Sequence, residues 1–221
     1  MSILIAYKKG DTVYMGTDTR VIVNEHKKND LCTSNYKIQR LKGRLIVGIT
    51  ADRLTRQTIF AYPEVFAFDK KEELTRKHIV KNIIPKLKEV LTENELIVEK
   101  EDDVPRMDGQ ILLANKGDLY EICSNFTVYK YDTFQALGPV SDFAQFTLAS
   151  ANENDDVNEK IIKSLDIVAK NSQLVSRPYV LIDTKNLKYK LINERDSLID
   201  KKIYEIFGED IEVIKGKYYK G

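Results

Sequence analysis

In 221 residues the chain has no tryptophan, two cysteines, two histidines and five prolines. Each scarcity removes a class of protein. Cys32 and Cys123 are too few for the disulfide framework of a small secreted domain, so two reduced thiols are expected. His26 lies in a polar stretch and His78 at the start of a helical pattern, with no other His or Cys at ligand spacing; no zinc site is expected. The same shortage leaves a Ser-His-Asp hydrolase without a base, since neither histidine ends a strand. Charge of one sign is missing too. With 35 Lys and Arg against 34 Asp and Glu, the net charge is +1, which argues against a protein that coats nucleic acid. The basic, aromatic tail from Lys215 to Lys220 reads as a loose terminus rather than a nucleic-acid site. No apolar run approaches the roughly 20 residues of a membrane helix. The N-terminus carries no basic region ahead of its apolar run, so no signal peptide is read there and a cytoplasmic location is expected. G-x-S-x-G, Walker-type and G-x-G-x-x-G loops are absent, and no cofactor is expected.

What is present is enough apolar residue, 43%, for a sizeable core, and the length suits one domain over residues 1–221. Its core should span about residues 2–193, with a C-terminal extension over 194–221. Ile3 to Tyr7 and Thr12 to Asp18 read as two strands of a hairpin turning at Gly10. Tyr36 to Leu41 and Arg44 to Ile49 form another across Lys42-Gly43, after a polar loop from Asn24 to Ser34. Thr50 is placed to cap a helix over Ala51 to Ala61, with Leu54, Thr58 and Ala61 on one face. Ile79, Val80, Ile83, Ile84, Leu87, Val90 and Leu91 make a longer helical stripe, which Pro85 should kink or divide. Strands return over Gln110 to Ala114, Leu119 to Cys123, Thr127 to Tyr129 and Thr133 to Gly138. Helices follow over Ser141 to Ser150 and along Val157, Ile161, Ile162, Leu165 and Val168. A last hairpin pairs Tyr179 to Asp183 with Leu187 to Leu191. Runs of strands and helices segregated in this way indicate α+β. Two antiparallel sheets face to face, with a helical layer on each outer side, bury every stripe: a four-layer αββα sandwich.

Chemistry enters at the second residue. Met before a small residue is commonly removed, which leaves Ser2 with a free α-amine beside its own hydroxyl. An α-amine titrates near 7.7–8.0, close enough to neutrality to serve as a general base. An N-terminal nucleophile then needs only a tuning cation and a donor for the oxyanion.

The pattern around Ser2 makes this more specific. Ser2 to Ala6, the turn at Gly10 and Val13 to Arg20 resemble the opening of proteasome β-type subunits. Tyr36 to Leu41, Lys42-Gly43 and Ile46 to Asp52 are similar to that family's lysine strand and its turn into the first helix. Ile111 to Ala114, Gly117 to Ile122 and Phe134 to Gly138 resemble its later strands, so the likeness to the proteasome and bacterial ring-protease superfamily covers residues 2–185. The resemblance implies that Ser2 occupies the nucleophile position, usually Thr, and that Asp18 and Lys37 are the acid and lysine beside it. It also implies that the backbone N–H of Ala51 supplies the oxyanion donor.

Some positions depart from the family pattern. Ala51 stands where the family usually has Gly. Pro139-Val140-Ser141-Asp142 replaces a serine-glycine turn, leaving Ser141 as the displaced supporting hydroxyl. Asn171 stands where an Asp is expected and still offers a hydrogen bond, without charge. The expected activity is peptide-bond hydrolysis by a proteasome-like threonine-type peptidase with serine as nucleophile. The expected substrate is an unfolded polypeptide or peptide. The expected assembly is a homo-oligomeric ring, served where needed by an ATP-dependent unfoldase. The rival expectation is a non-catalytic assembly or binding protein on the same fold.

Overall fold

Apolar alternation broken by turn residues builds most of the chain. A computed structural model describes residues 3–23, 26–28, 37–68, 73–98, 104–193 and 211–215. Strand β1 (Leu4–Lys9) and β2 (Thr12–Asp18) pair antiparallel from Leu4↔Thr17 to Lys9↔Thr12. Gly10 takes a φ of 58° at their turn, where a side chain is strained and glycine is not. β3 (Val21–Val23) pairs with β4 (His26–Lys28) in a small ribbon, so a strand stands inside the expected polar loop from Asn24 to Ser34; the rest of that loop, and Tyr36, lie outside the described residues. β5 (Ile38–Arg40) and β6 (Ile46–Thr50) follow, joined through a tight turn at Lys42–Arg44.

Helix α1 (Arg53–Ala61) starts two residues later than the expected Ala51. Thr50 ends β6, and the cap is Asp52, whose Oδ1 accepts from Leu54 N–H at 2.6 Å and Thr55 N–H at 3.0 Å. The buried face carries Thr55, Arg56 and Ile59 rather than Leu54, Thr58 and Ala61, and Leu54 is 61% exposed. A three-residue helical turn, α2 (Arg76–His78), runs through a π-turn at Ile79–Ile83 into α3 (Ile84–Glu93). Pro85 falls in the first turn of α3, so the proline irregularity takes the form of a π-turn just before it. That extra residue per turn shifts Val80 out of the stripe, to 47% exposure, while Ile79, Ile83, Leu87 and Leu91 are fully buried.

The second half repeats the plan. β7 (Ile97–Val98) and β8 (Arg106–Met107) make a short ribbon. β9 (Gln110–Asn115), β10 (Asp118–Ile122) and β11 (Val128–Tyr131) form a meander, and β12 (Phe134–Leu137) crosses to the other sheet. Helices α4 (Ser141–Ser150) and α5 (Val157–Asn171) precede β13 (Tyr179–Asp183) and β14 (Tyr189–Asn193). β15 (Ile211–Lys215) adds to β14 in parallel.

Two sheets result, ordered β12-β1-β2-β13-β14-β15 and β11-β10-β9-β6-β5. Three separate apolar cores identify four layers. Val47, Ile49, Ile111 and Leu113 meet Ile83, Leu87 and Leu91 of the first helical layer. Leu4, Met15, Ile46 and Leu112 meet between the sheets. Ile3, Ile5, Leu181 and Tyr179 meet Ile161 and Leu165 of the second helical layer. The stripe Val157, Ile161, Ile162, Leu165 and Val168 is buried throughout, as its spacing requires. The chain is thus an α+β, four-layer αββα sandwich. No described helix is long and apolar enough to cross a membrane.

Candidate functional site at the start of the first strand

β2 ends on Asp18, the last of four consecutive buried residues, and its carboxyl is completely buried between the layers. Lys37 enters β5 from the other sheet and is also buried, with its Nζ 2.8 Å from Asp18 Oδ1. Two charges withdrawn from water are tolerated only when each meets an opposite charge and its remaining polar contacts are filled. Asp18 satisfies this condition: Oδ1 also accepts from the N–H of Ile3 at 3.3 Å, and Oδ2 accepts from the N–H of Arg20 at 3.0 Å. Thr17 Oγ1 donates to the Ile3 carbonyl at 2.6 Å, so Ile3 is held on both sides of its Cα. Ser2 itself lies outside the described residues. Ile3, its chain neighbour, is bonded to the buried ion pair through its own N–H.

The charges at this end of β1 act on Lys37. Burial draws the Lys37 ammonium below its ordinary value, and the Arg56 and Arg20 guanidiniums add to that pull, while Asp18 opposes it. Arg56, buried on α1, also carries a charge that interacts with Asp18.

Ala51 occupies the bend between β6 and α1. Ile49 N–H donates to the Lys37 carbonyl at 2.9 Å, and N–H groups on one strand edge recur every second residue. Ala51 itself lies one residue past the end of β6. Ser141 is the first residue of α4 and bonds through its N–H to the Gly138 carbonyl at 3.1 Å. Leu137 pairs with Leu4, which brings this turn to the same end of the sheet as Ile3. Asn171 is different: it is exposed at the last turn of α5, and its amide donates to the Ile167 carbonyl one turn back at 2.8 Å. It borders an open cavity of about 720 Å³ with Arg20, Asp166 and Tyr179.

Asp18 and Lys37 are thus in direct contact, and Ile3 is bonded to the pair. Asn171 is turned toward its own helix. Thr17 and Arg56 are contributions the sequence did not reveal: a threonine in a strand and an arginine in a charged helix carry no spacing signal of their own. Among the described residues, no group of three or more His, Cys, Asp or Glu side chains is placed to hold a metal ion.

The layers and their order are those of a proteasome-like fold. No protein-family model matches the sequence, and neither does any curated protein. Solved structures do match. BPH from Thiobacillus denitrificans is 20% identical with a TM-score of 0.68, over 82% of this chain and 96% of that one, and has also been solved in complex with epoxomicin. Eukaryotic HslV from Trypanosoma brucei is 15% identical with a TM-score of 0.56, over 82% of this chain and 98% of that one. The Anbu complex from Pseudomonas aeruginosa, solved as a helical assembly, is 14% identical with a TM-score of 0.63, over 92% and 91% of the two chains. Identities this low speak to the fold alone.

Proposed function

We propose that the protein is a proteasome-like peptidase whose nucleophile is Ser2 after removal of Met1. One observation carries this reading: Asp18 Oδ1 accepts from both Lys37 Nζ and Ile3 N–H, so residue 2 is one peptide bond from a buried ion pair. In the reaction the Ser2 hydroxyl attacks the scissile carbonyl and its proton passes to the Ser2 α-amine. Lys37 and Arg56 favour the neutral amine that accepts it. The developing oxyanion is met by the N–H of Ala51. The amine then protonates the departing peptide amine, and water hydrolyses the acyl-serine by the reverse path. Retention of Met1 converts the base into an amide nitrogen and stops this route. By analogy with the fold neighbours, a homo-oligomer is proposed, with a ring enclosing the sites. Unfolded polypeptide is the proposed substrate, delivered where needed by an ATP-dependent unfoldase.

Two measurements test this reading. The intact mass of the native protein should lack Met1. A peptidyl α′,β′-epoxyketone offers a ketone to the hydroxyl and an epoxide to the amine, so a one-to-one adduct requires both groups of Ser2. Ser2→Ala should abolish the adduct and lower peptide turnover roughly a thousandfold or more. Retained Met1, or equal labelling of the Ser2→Ala protein, refutes the mechanism. The commitment of the Asn171 amide to Ile167 favours the rival reading, a non-catalytic assembly protein, which expects Ser2→Ala to leave biological function intact.

A further inference from the structure

The peptide joining Ala51 to Asp52 is held at both of its polar ends. Its carbonyl accepts from Arg56 Nη1 at 3.1 Å, and its N–H donates to Asp108 Oδ2 at 3.1 Å. Arg56 belongs to α1, whereas Asp108 lies between β8 and β9, in the segment that leads into the strand beside β6. The backbone of that segment is pressed against the same place. Gly109 has a φ of 114°, and a Cβ there would lie 2.0 Å from the Thr50 carbonyl oxygen and 2.7 Å from Ala51 Cα. One residue on, the Gln110 carbonyl accepts from Thr50 Oγ1 at 3.3 Å. Residues 108–110 therefore touch every peptide from Thr50 to Asp52, with the closeness that only glycine permits at position 109.

The helix cap does not require this arrangement. Asp52 caps α1 with its own side chain, and its partners there are Leu54 and Thr55. Asp108 also meets the Asp52 carboxyl side chain to side chain, and its bond from Asp52 N–H fixes the peptide plane that follows Ala51. Two rigid planes meet at the Ala51 Cα: the bond to Asp108 fixes the second, and the close approach of Gly109 to the Thr50 carbonyl oxygen confines the first, which carries the Ala51 N–H. An oxyanion donor acts only when it is already aimed at the place where charge develops, and small misplacements cost rate rather than binding.

We infer that Asp108 is a positioning residue for the oxyanion donor, acting with Arg56 as a two-sided clamp on the Ala51–Asp52 peptide. The inference rests on the peptidase reading for its catalytic consequence, but the clamp itself stands on contacts among described residues. Asp108 touches no substrate; it acts through the backbone of Ala51. Asp108→Asn keeps an oxygen for the Asp52 N–H, and Asp108→Ala removes it.

The test compares these two variants in the full chain with Met1 removed, by peptide turnover and by amide hydrogen exchange at Ala51 and Asp52. Asp108→Ala should lower kcat by about 10- to 100-fold with KM within about twofold, because donor aim is needed in the transition state and not in the ground state. Asp108→Asn should restore kcat to within about threefold of wild type. Exchange at both amides should accelerate in Asp108→Ala and stay at the wild-type rate in Asp108→Asn. Wild-type kcat and wild-type exchange in a folded Asp108→Ala protein overturn the inference, as does an equal loss in both variants, which implicates the charge rather than the hydrogen bond. If wild-type protein with Ser2 at its N-terminus fails to turn over peptide, that failure belongs to the peptidase reading, and the exchange comparison still decides the clamp.

Discussion

Replacing Asp18 by Asn is the sharpest perturbation of this fold, because it changes charge and almost nothing else. The amide retains an oxygen for the Ile3 N–H and is nearly the same size, so packing between the sheets is preserved. What is lost is the attraction across 2.8 Å between groups whose side chains are 0% and 2% exposed. At an effective dielectric constant of about 20, that attraction amounts to about 6 kcal/mol. The measured loss should be smaller, about 3–5 kcal/mol, because breaking a buried pair is limited by what the remaining ion can do to escape its cost. Lys37 escapes by releasing its proton. Burial already draws its ammonium below the ordinary 10.5, and Asp18 is what draws it back. In the variant the unfolded chain therefore holds that proton more tightly than the folded one. Stability is fullest above the unfolded lysine value and falls as pH drops toward the folded one. Urea titrations at neutral and alkaline pH should show Asp18→Asn recovering stability on the alkaline side relative to wild type. Thermal melts should show a decrease of about 6–20 °C for a domain of this size. Lys37→Met added to Asp18→Asn should cost less than the two single changes summed, since the pair is removed together. A single variant within about 1 kcal/mol of wild type, or strict additivity in the double, refutes the buried pair.

Two further outcomes are expected. Gly48 faces the other sheet, and a Cβ there would lie 2.6 and 2.8 Å from the Leu4 methyls and 3.0 Å from Met15 Cε. Gly48→Ala should cost about 1–3 kcal/mol in urea unfolding, and an unchanged midpoint refutes the packing described. Cys123 has its thiol pushed up to about 12 by burial and by the adjacent Glu121 carboxylate, to which it donates at 3.2 Å. In a Cys32→Ser background, alkylation near pH 8 should run on the order of a thousandfold slower than for an unperturbed thiol. Glu121→Gln should recover part of that rate, and fast alkylation of the parent refutes the assignment.

Local rules carried a good part of this structure. The β1–β2 hairpin, α4 and α5 follow from residues close together in the chain: alternation with period 2, a glycine at the turn, apolar residues three and four apart. The resemblance to proteasome β-type subunits rested on the same local patterns, and the four-layer fold agrees with it. Boundaries were legible only to within a residue or two. Thr50 and Asp52 are both good caps, and the choice between them fell to β6, which keeps Thr50 paired opposite Gln110. The outward rotation of Val80 likewise depended on a π-turn that Pro85 announces without specifying.

By itself the sequence indicated the order of the main strands and helices and the candidates Ser2, Asp18, Lys37, Ala51, Ser141 and Asn171. Only the tertiary structure decided which of these meet. It joined Asp18 to Lys37 from two different sheets, bonded Ile3 to that pair, turned Asn171 back on its own helix, and set Arg56 and Asp108 at the two ends of one peptide. The physical reason is range. Strands and helices are chosen by neighbours a few residues apart, whereas a buried charge is acceptable only where a partner arrives from elsewhere in the chain, and the packing of whole sheets decides which partner that is.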